Sequence, residues 1–504
     1  MGSLLLISVS PWDTRVALVE QGRLAELYLE RRKSPQVTAN IYKGKVTRVV
    51  PGMDAAFVDI GLERPGYLSA EEVWEGWDPF YNLWLQEDEV LGPAEVPSGS
   101  ETHAPVGDLL REGQEVLVQV SRAPSAHKGA RLTTRITLPG YYLVYAPTLS
   151  HLGVSRRISD AAERQRLQGL LEDLKPPEGG LIARTASLGQ SEAVLRRERD
   201  ELVSLWQAIH QRYEAAASPA LLLTELDFPR RLIRELGSPD LDRVIVDDPP
   251  TYKRVLEYIS GHIPVLKNRV ELYTEPEPLF LHFGLDLDWR RLLSHQIWLK
   301  SGGYLLIEET EALTAIDVNT GKFIGRHQLE DTILQTNLEA AREVARQLRL
   351  RNIGGLIVID FIDMKKPAHR EVVYQALLEA LKADRAKTSA LPISSLGLLE
   401  MTRERLGESL AERIAEPCSS CGGRGWHVGP LTIAHDILRQ LAADVREFPG
   451  CRFKVHAAPQ VNALVVSEWE ALQGLAQEHH CDLETVDEPG LAPERYHIIR
   501  EMKL

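Results

Sequence analysis

LTAIDVNTG (313–321), LEDTILQTNLEAAREVARQLRL (329–350) and GGLIVIDFIDM (354–364) follow one another in the 504-residue chain. The first and third are short apolar runs bounded by Gly, Asn and Thr, and they read as strands. The segment between them has the period of a long amphipathic helix. EVVYQALLEALKAD (371–384) reads as a second helix. Strand–helix–strand–helix order predicts an α/β layer with buried strands. Each strand ends in an aspartate, Asp317 and Asp360, so both carboxylates emerge where the chain leaves the sheet. Open α/β sheets place ligands there.

Two carboxylates side by side repel unless a cation lies between them. Mg²⁺ suits one or two carboxylates, because it keeps several of its waters. Bound there, it could activate water and neutralise charge on a phosphodiester. Asn319 could orient a ligand or water, and Asp363 supplies a further oxygen nearby. The competing reading makes each Asp a turn former or a helix N-cap.

Outward from this block, the N-terminal part alternates like short strands: LLLISV, RVALVE and RLAELYLE. IYKGKVTRVVPGMDAAFVDIGLERPGYLS (41–69) follows, and its Gly-punctuated short strands suit a small OB-type barrel. Residues 75–108 read as a long loop inserted in that barrel. No Lys or Arg occurs between Pro65 and Leu110, where ten acidic residues carry most of the net charge of −14. Global acidity therefore leaves room for basic grooves elsewhere. Residues 158–175 and 191–217 have helical periodicity around GLIARTAS. Short strands and helices alternate over 240–300, and Pro417 with CSSCGGRGW marks a linker before a small mixed C-terminal unit.

Hydrophobic residues at 44% and charged residues at 26% are ordinary for a globular protein of several domains. No run approaches the roughly 18 apolar residues of a membrane span, and the N-terminus lacks a signal-peptide pattern. The expectation is a cytoplasmic protein. Four cysteines do not make a disulfide scaffold. Cys418-x-x-Cys421 supplies two of the four ligands of a structural Zn²⁺ site. His427 with Cys451 or Cys481 could complete it, and a redox role is the rival reading.

At this point the chain resembles the bacterial RNase E/G family. WLKSGGYLLIEETEALTAIDVNTG, NLEAAREVARQLRLRNIGGLIVIDFIDM, LGLLEMTRERL and the CxxC match it in order. AAFVDIGLERPGYL and HKGARLTT near the N-terminus do so too. The match covers residues 1 to about 430, and the lack of a long disordered tail favours the shorter, RNase G-like form. The resemblance implies a mixed α/β multidomain fold. An OB-fold barrel (37–133) would be inserted in an RNase H-like subdomain (1–36 and 229–292). A 5′-phosphate sensor region (134–228), a DNase I-like catalytic domain (293–412), a zinc-link (413–428) and a small C-terminal α+β domain (429–504) would follow.

The same resemblance implies roles. Asp317 and Asp360 would hold magnesium with Asn319 in support, and Phe57, Tyr67 and Lys128 would contact RNA. Gly140, Val144, Arg184, Thr185 and Lys387 would receive a 5′-monophosphate. Lys387 stands where the family usually has arginine, which keeps the charge but loses the bidentate fork. Cys418 and Cys421 would share one Zn²⁺ with a second chain, giving a dimer and then a tetramer. On the residues alone, Phe57 and Tyr67 read as barrel core, and Arg184 as a surface ion pair.

The expected function is a Mg²⁺-dependent endoribonuclease that cuts single-stranded RNA, leaves 5′-phosphate and 3′-hydroxyl ends, and acts in RNA processing and mRNA decay. A non-catalytic RNA-binding scaffold in ribosome assembly is the alternative. An NTP-driven remodeller is disfavoured, since no G-x-x-x-x-G-K-[ST] occurs.

Overall fold

The structure is a computed structural model that describes residues 2–31, 37–73, 104–124, 128–155, 157–285, 289–321, 329–416, 418, 421 and 423–502. Most of the acidic 75–108 segment lies outside the described residues. The chain forms two compact units, 1–410 and 411–504.

Three N-terminal strands, β1 (Ser3–Val9), β2 (Asp13–Glu20) and β3 (Arg23–Arg31), form an antiparallel meander. The barrel follows, built from β4 (Ile41–Val50), β5 (Ala55–Asp59), β6 (Gly66–Ser69), β7 (Glu115–Arg122) and β8 (Arg131–Thr133). It closes because β4 pairs with both β5 and β7. Small and branched residues (Val46, Ala56, Val58, Leu68, Val118, Leu132) fill its interior. Next come the small sheet of β9 (Leu138–Pro139), β10 (Leu143–Ala146), β11 (Leu152–Val154) and β12 (Gly180–Ala183), and then β13 (Ala220–Leu223), which adds to β4. β14 (Leu241–Val246) returns to pair parallel with β1, and β15 (Val270–Leu272) completes that sheet. Asp160, Asp227 and Asp248 N-cap the helices Ala161–Leu174, Phe228–Leu236 and Pro249–His262, satisfying backbone N–H groups that have no partner inside the helix.

The block quoted first folds as read. β16 (Gln296–Trp298), β17 (Tyr304–Glu309), β18 (Thr314–Asn319), β19 (Gly355–Asp360), β20 (Thr388–Ala390) and β21 (Leu398–Arg403) make one sheet, ordered β16-β17-β18-β19-β21-β20. The long helix Leu329–Arg351 connects β18 to its parallel partner β19. It packs with the helix Pro367–Leu381 on the sheet face lined by Leu305, Ile307, Ile316, Ile357, Ile359 and Leu399. A largely buried ion network ties the end of the long helix Leu329–Arg351 to β2 and β3. Arg349 bonds Glu26 at 2.8 Å and Glu20 at 2.8 Å, Arg385 reaches Glu26 at 3.1 Å, and the Tyr28 hydroxyl donates to Glu26.

In the second unit, β22 (Cys451–Ala457) lies between β23 (Asp482–Asp487) and β24 (Tyr496–Met502). Cys451 and Cys481 are buried in its core beside Phe453 and Val455. Mixed α/β, multidomain organisation and a closed OB-like barrel are thus what the sequence led us to expect.

Candidate active site

Side chains alternate along a strand, so burying Ile316 and Ile359 under the helices turns Asp317 and Asp360 to the opposite face. Both are exposed there. Asp317 is the direct register partner of Asp360 across the parallel pair. The Asn319 amide donates to Asp317 Oδ2 at 2.8 Å. Partial burial pushes the Asp360 carboxyl above the usual aspartate range, and the negative charges of Asp317 and Asp363 add to the effect. A cation placed here relieves that repulsion.

The turn that follows β19 is fixed from two sides. Asn337 of the long helix is fully buried, and its amide donates to Ile362 O (2.8 Å) and accepts from Ile362 N (3.1 Å). Opposite lies Gly397, at φ +83°, a conformation that favours glycine. A Cβ there would come within 3.1 Å of Phe361 O and 3.2 Å of Asp363 Oδ1. Sequence reasoning missed both residues. Asn337 reads locally as one more polar residue of an amphipathic helix, and only its depth in the fold identifies it.

Among the described residues, no group of three or more His, Cys, Asp or Glu is placed to hold a metal. Two carboxylates and an amide still fit Mg²⁺, which keeps much of its water shell.

On the barrel, Phe57 and Tyr67 are register partners across β5 and β6, with ring centroids 6.1 Å apart and near edge-on. Both are half-buried and point away from the core that Ala56, Val58 and Leu68 fill. The reading of this pair as barrel core is therefore set aside. Arg48 is the partner of Phe57 across β4, Arg131 that of Tyr67 across β8, and Lys128 is exposed before β8.

Gly140, Val144, Arg184 and Thr185 gather on or beside the small sheet of β9 to β12. Val144 is the register partner of Ile182. Arg184 donates to Gly140 O at 2.7 Å and pairs with Glu235, so the ion-pair reading holds for part of its guanidinium. Thr185 Oγ1 lies 3.2 Å from Ser155 Oγ. Gly140 is required by close approach, since a Cβ would lie 2.6 Å from Glu198 Cδ. Glu198 is buried and accepts the backbone N–H groups of Tyr141, Tyr142 and Leu143 at 2.7–2.8 Å. Lys387 comes from the turn before β20 and is exposed. Arg157, beyond β11, donates to Asp384 O at 3.2 Å and to Arg385 O, and so brings that turn to the small sheet's end.

In the second unit, Cys418 is exposed and Cys421 half-buried. Cys421 Sγ accepts the Gly425 N–H at 3.4 Å. Cys451 and Cys481 belong to the core, which speaks against their completing a site with this pair.

Register-matched carboxylates on the open face of an α/β sheet, in a chain that also carries an aromatic and basic barrel surface, define an enzyme of the nuclease class. Residues 137–406 match the model of the ribonuclease E/G family. The chain is 41% identical over 465 residues to ribonuclease G of Escherichia coli K12, covering 92% of each chain. It is 41% identical over 464 residues to ribonuclease G of Haemophilus influenzae, again with 92% of each covered. Ribonuclease E of Escherichia coli K12 is 39% identical over 448 residues, which are 87% of this chain and 40% of that protein. The chain belongs to the ribonuclease E/G family, in its RNase G-like form, and is an endoribonuclease. An enzyme replaces the non-catalytic scaffold as the reading of the whole molecule. No helix among the described residues is long and apolar enough to cross a membrane.

Proposed function

We propose that the chain cuts single-stranded RNA by Mg²⁺-assisted hydrolysis at Asp317 and Asp360, leaving 5′-phosphate and 3′-hydroxyl ends. The observation that carries this is the register pairing of the two carboxylates on the sheet's open face. When bound, Mg²⁺ supplies an activated water and neutralises charge building on the phosphodiester. Asp317 and Asp360 hold it, and Asn319 keeps the Asp317 carboxylate oriented through its amide. Phe57 and Tyr67 stack splayed bases, while Lys128 contacts the backbone. Unpaired RNA is the substrate because its bases are free to reach an aromatic surface. In this reading the six-stranded sheet is a DNase I-like catalytic domain, and the sheet of β1 is RNase H-like.

The loop of Gly140, with Val144, Arg184, Thr185 and Lys387, binds a 5′-monophosphate and stimulates cleavage. The Arg184–Glu235 pair leaves the rest of the guanidinium for a charge-assisted hydrogen bond. Cys418 and Cys421 share one Zn²⁺ with the same pair of a second chain, building a dimer and then a tetramer. RNA processing, including rRNA, and mRNA decay in the cytoplasm are the setting.

The test is a time course with a 5′-monophosphorylated single-stranded oligonucleotide in Mg²⁺ or in EDTA. Cleavage in Mg²⁺ alone, with 5′-phosphate product ends, is expected. Equal cleavage in EDTA overturns the metal reading.

A further inference from the structure

The open face of the catalytic sheet carries a feature that the magnesium reading does not use. Trp298 is the register partner of Tyr304, and Tyr304 is the register partner of Asn319. Direct partners across antiparallel strands point to the same face. Trp298, Tyr304 and Asn319 therefore form one row across β16, β17 and β18, on the side that carries Asp317 and Asp360. Strands lie about 4.8 Å apart, so Trp298 sits roughly 10 Å from Asn319. The two rings meet at 5.4 Å and 61°. Tyr304 is half-buried, while Trp298 keeps 64% of its surface exposed.

A lone exposed apolar residue needs no explanation. An exposed tryptophan braced by a tyrosine, at the end of a row that reaches the carboxylate site, is a different case. Water solvates a large aromatic face poorly, and a nucleobase is a flat partner for it. Lys300, exposed just past Trp298, adds a cation where a phosphate would pass. β16 is the edge strand of the sheet, so the Trp298 ring can be reached from solvent.

We propose that Trp298 and Tyr304 form a stacking platform for one unpaired base beside the bond that is cut. The occupant is RNA because the row is continuous with the carboxylate pair. The proposal rests on the placement of hydrolysis at Asp317 and Asp360. Stacking there fixes the nucleotide next to the reacting phosphate, so its energy appears in kcat/KM rather than in overall RNA affinity alone. It would act separately from the Phe57–Tyr67 surface, which belongs to the barrel.

The experiment uses the full chain and a short single-stranded RNA cut at one bond, with an abasic nucleotide walked through each flanking position. Wild type is expected to lose about 5–150-fold in kcat/KM at one position that reports the platform. Trp298→Ala should lose a similar factor on the intact RNA and become indifferent to the abasic site at that position only. Trp298→Phe should retain most of both. If Trp298→Ala keeps the wild-type abasic profile, at any activity, the platform is wrong. If light scattering shows that Trp298→Ala alters assembly while the profile stays unchanged, the pair serves a second copy of the chain, and the proposal also fails. Asp317→Asn separates the two readings. Full activity of that variant removes the catalytic placement itself, whereas an inactive Asp317→Asn beside an unchanged Trp298→Ala profile removes the platform alone.

Discussion

The side-chain amide of Asn337 makes two hydrogen bonds to the backbone of Ile362, the residue between the carboxylate turn's Phe361 and Asp363. The helix behind the sheet thus holds the turn that carries the site in front of it. Asn337→Ala takes both side-chain partners from the partly buried N–H and C=O of Ile362, a loss of about 1–3 kcal/mol. Cleavage should slow through kcat, with KM for RNA little changed, because the carboxylates shift but the barrel surface does not. Asn337→Asp keeps the acceptor for Ile362 N but sets an oxygen against Ile362 O, so it should lose more than Asn337→Gln, which keeps both groups on a longer stem. Kinetics of the three variants, with thermal melts alongside, check this.

Asp317→Asn and Asp360→Asn should each abolish cleavage and leave RNA binding nearly intact, as read by filter binding in EDTA. Their register pairing makes them one unit, so the double variant should be no worse than either alone. Cleavage at the wild-type rate by either single variant would move the active site elsewhere.

A 5′-monophosphate should speed cleavage over a 5′-hydroxyl, and Arg184→Ala should remove most of the difference. Losing a charged hydrogen-bond partner costs about 1.5–3 kcal/mol, or roughly 10–150-fold. Glu235→Gln should change the preference too, since Glu235 holds the same guanidinium. Equal rates of the wild type on both ends would end the sensor reading.

Acid should loosen the first unit through Glu26. Burial alone would raise its carboxyl, but Arg385 and Arg349, with the Tyr28 hydroxyl, outweigh burial and hold it below the usual range. A depressed carboxylate stabilises the fold fully above its unfolded pKa, near 4.5, and that contribution fades as pH falls through the folded value. Glu26→Gln should cost about 3 kcal/mol at neutral pH, because the Arg385 guanidinium loses its anion and Arg349 keeps only Glu20 of its two. Its deficit against wild type should shrink below about pH 4. Urea melts at pH 7 and at low pH measure both.

Cys418→Ser should act like chelation. About one zinc per two chains is expected, with a smaller species in light scattering after either treatment. One zinc per chain, or an assembly indifferent to chelator, would sink the shared-metal link.

The six-stranded sheet was legible because apolar runs ending in Asp317 and Asp360 are local signals, and so is the helix between them. The barrel was legible in outline, from strand alternation and glycine spacing. The facing of Phe57 was not. The residues alone put Phe57 in the barrel core, yet Ala56 and Val58 took that place, since a narrow barrel has room for small and branched residues. Arg184 and Glu235 are 51 residues apart, and no pattern along the chain couples them. Nor does anything local announce that β13 adds to β4 or that Trp298 shares a row with Asn319. Such relations come from register, which only the folded sheet supplies.

The parallel pairing of β1 with β14 has a consequence for synthesis. Ser3–Val9 leaves the ribosome with its antiparallel neighbour close behind, but its other edge waits for Leu241–Val246. At about 5–20 residues per second, that wait lasts roughly 10–50 s. Throughout it, the backbone beside Leu5, Leu6 and Ile7 offers an unpaired edge to any other nascent strand. A pause in translation before residue 241 should therefore cost more soluble protein than one placed after residue 272, once the last strand of that sheet has been made.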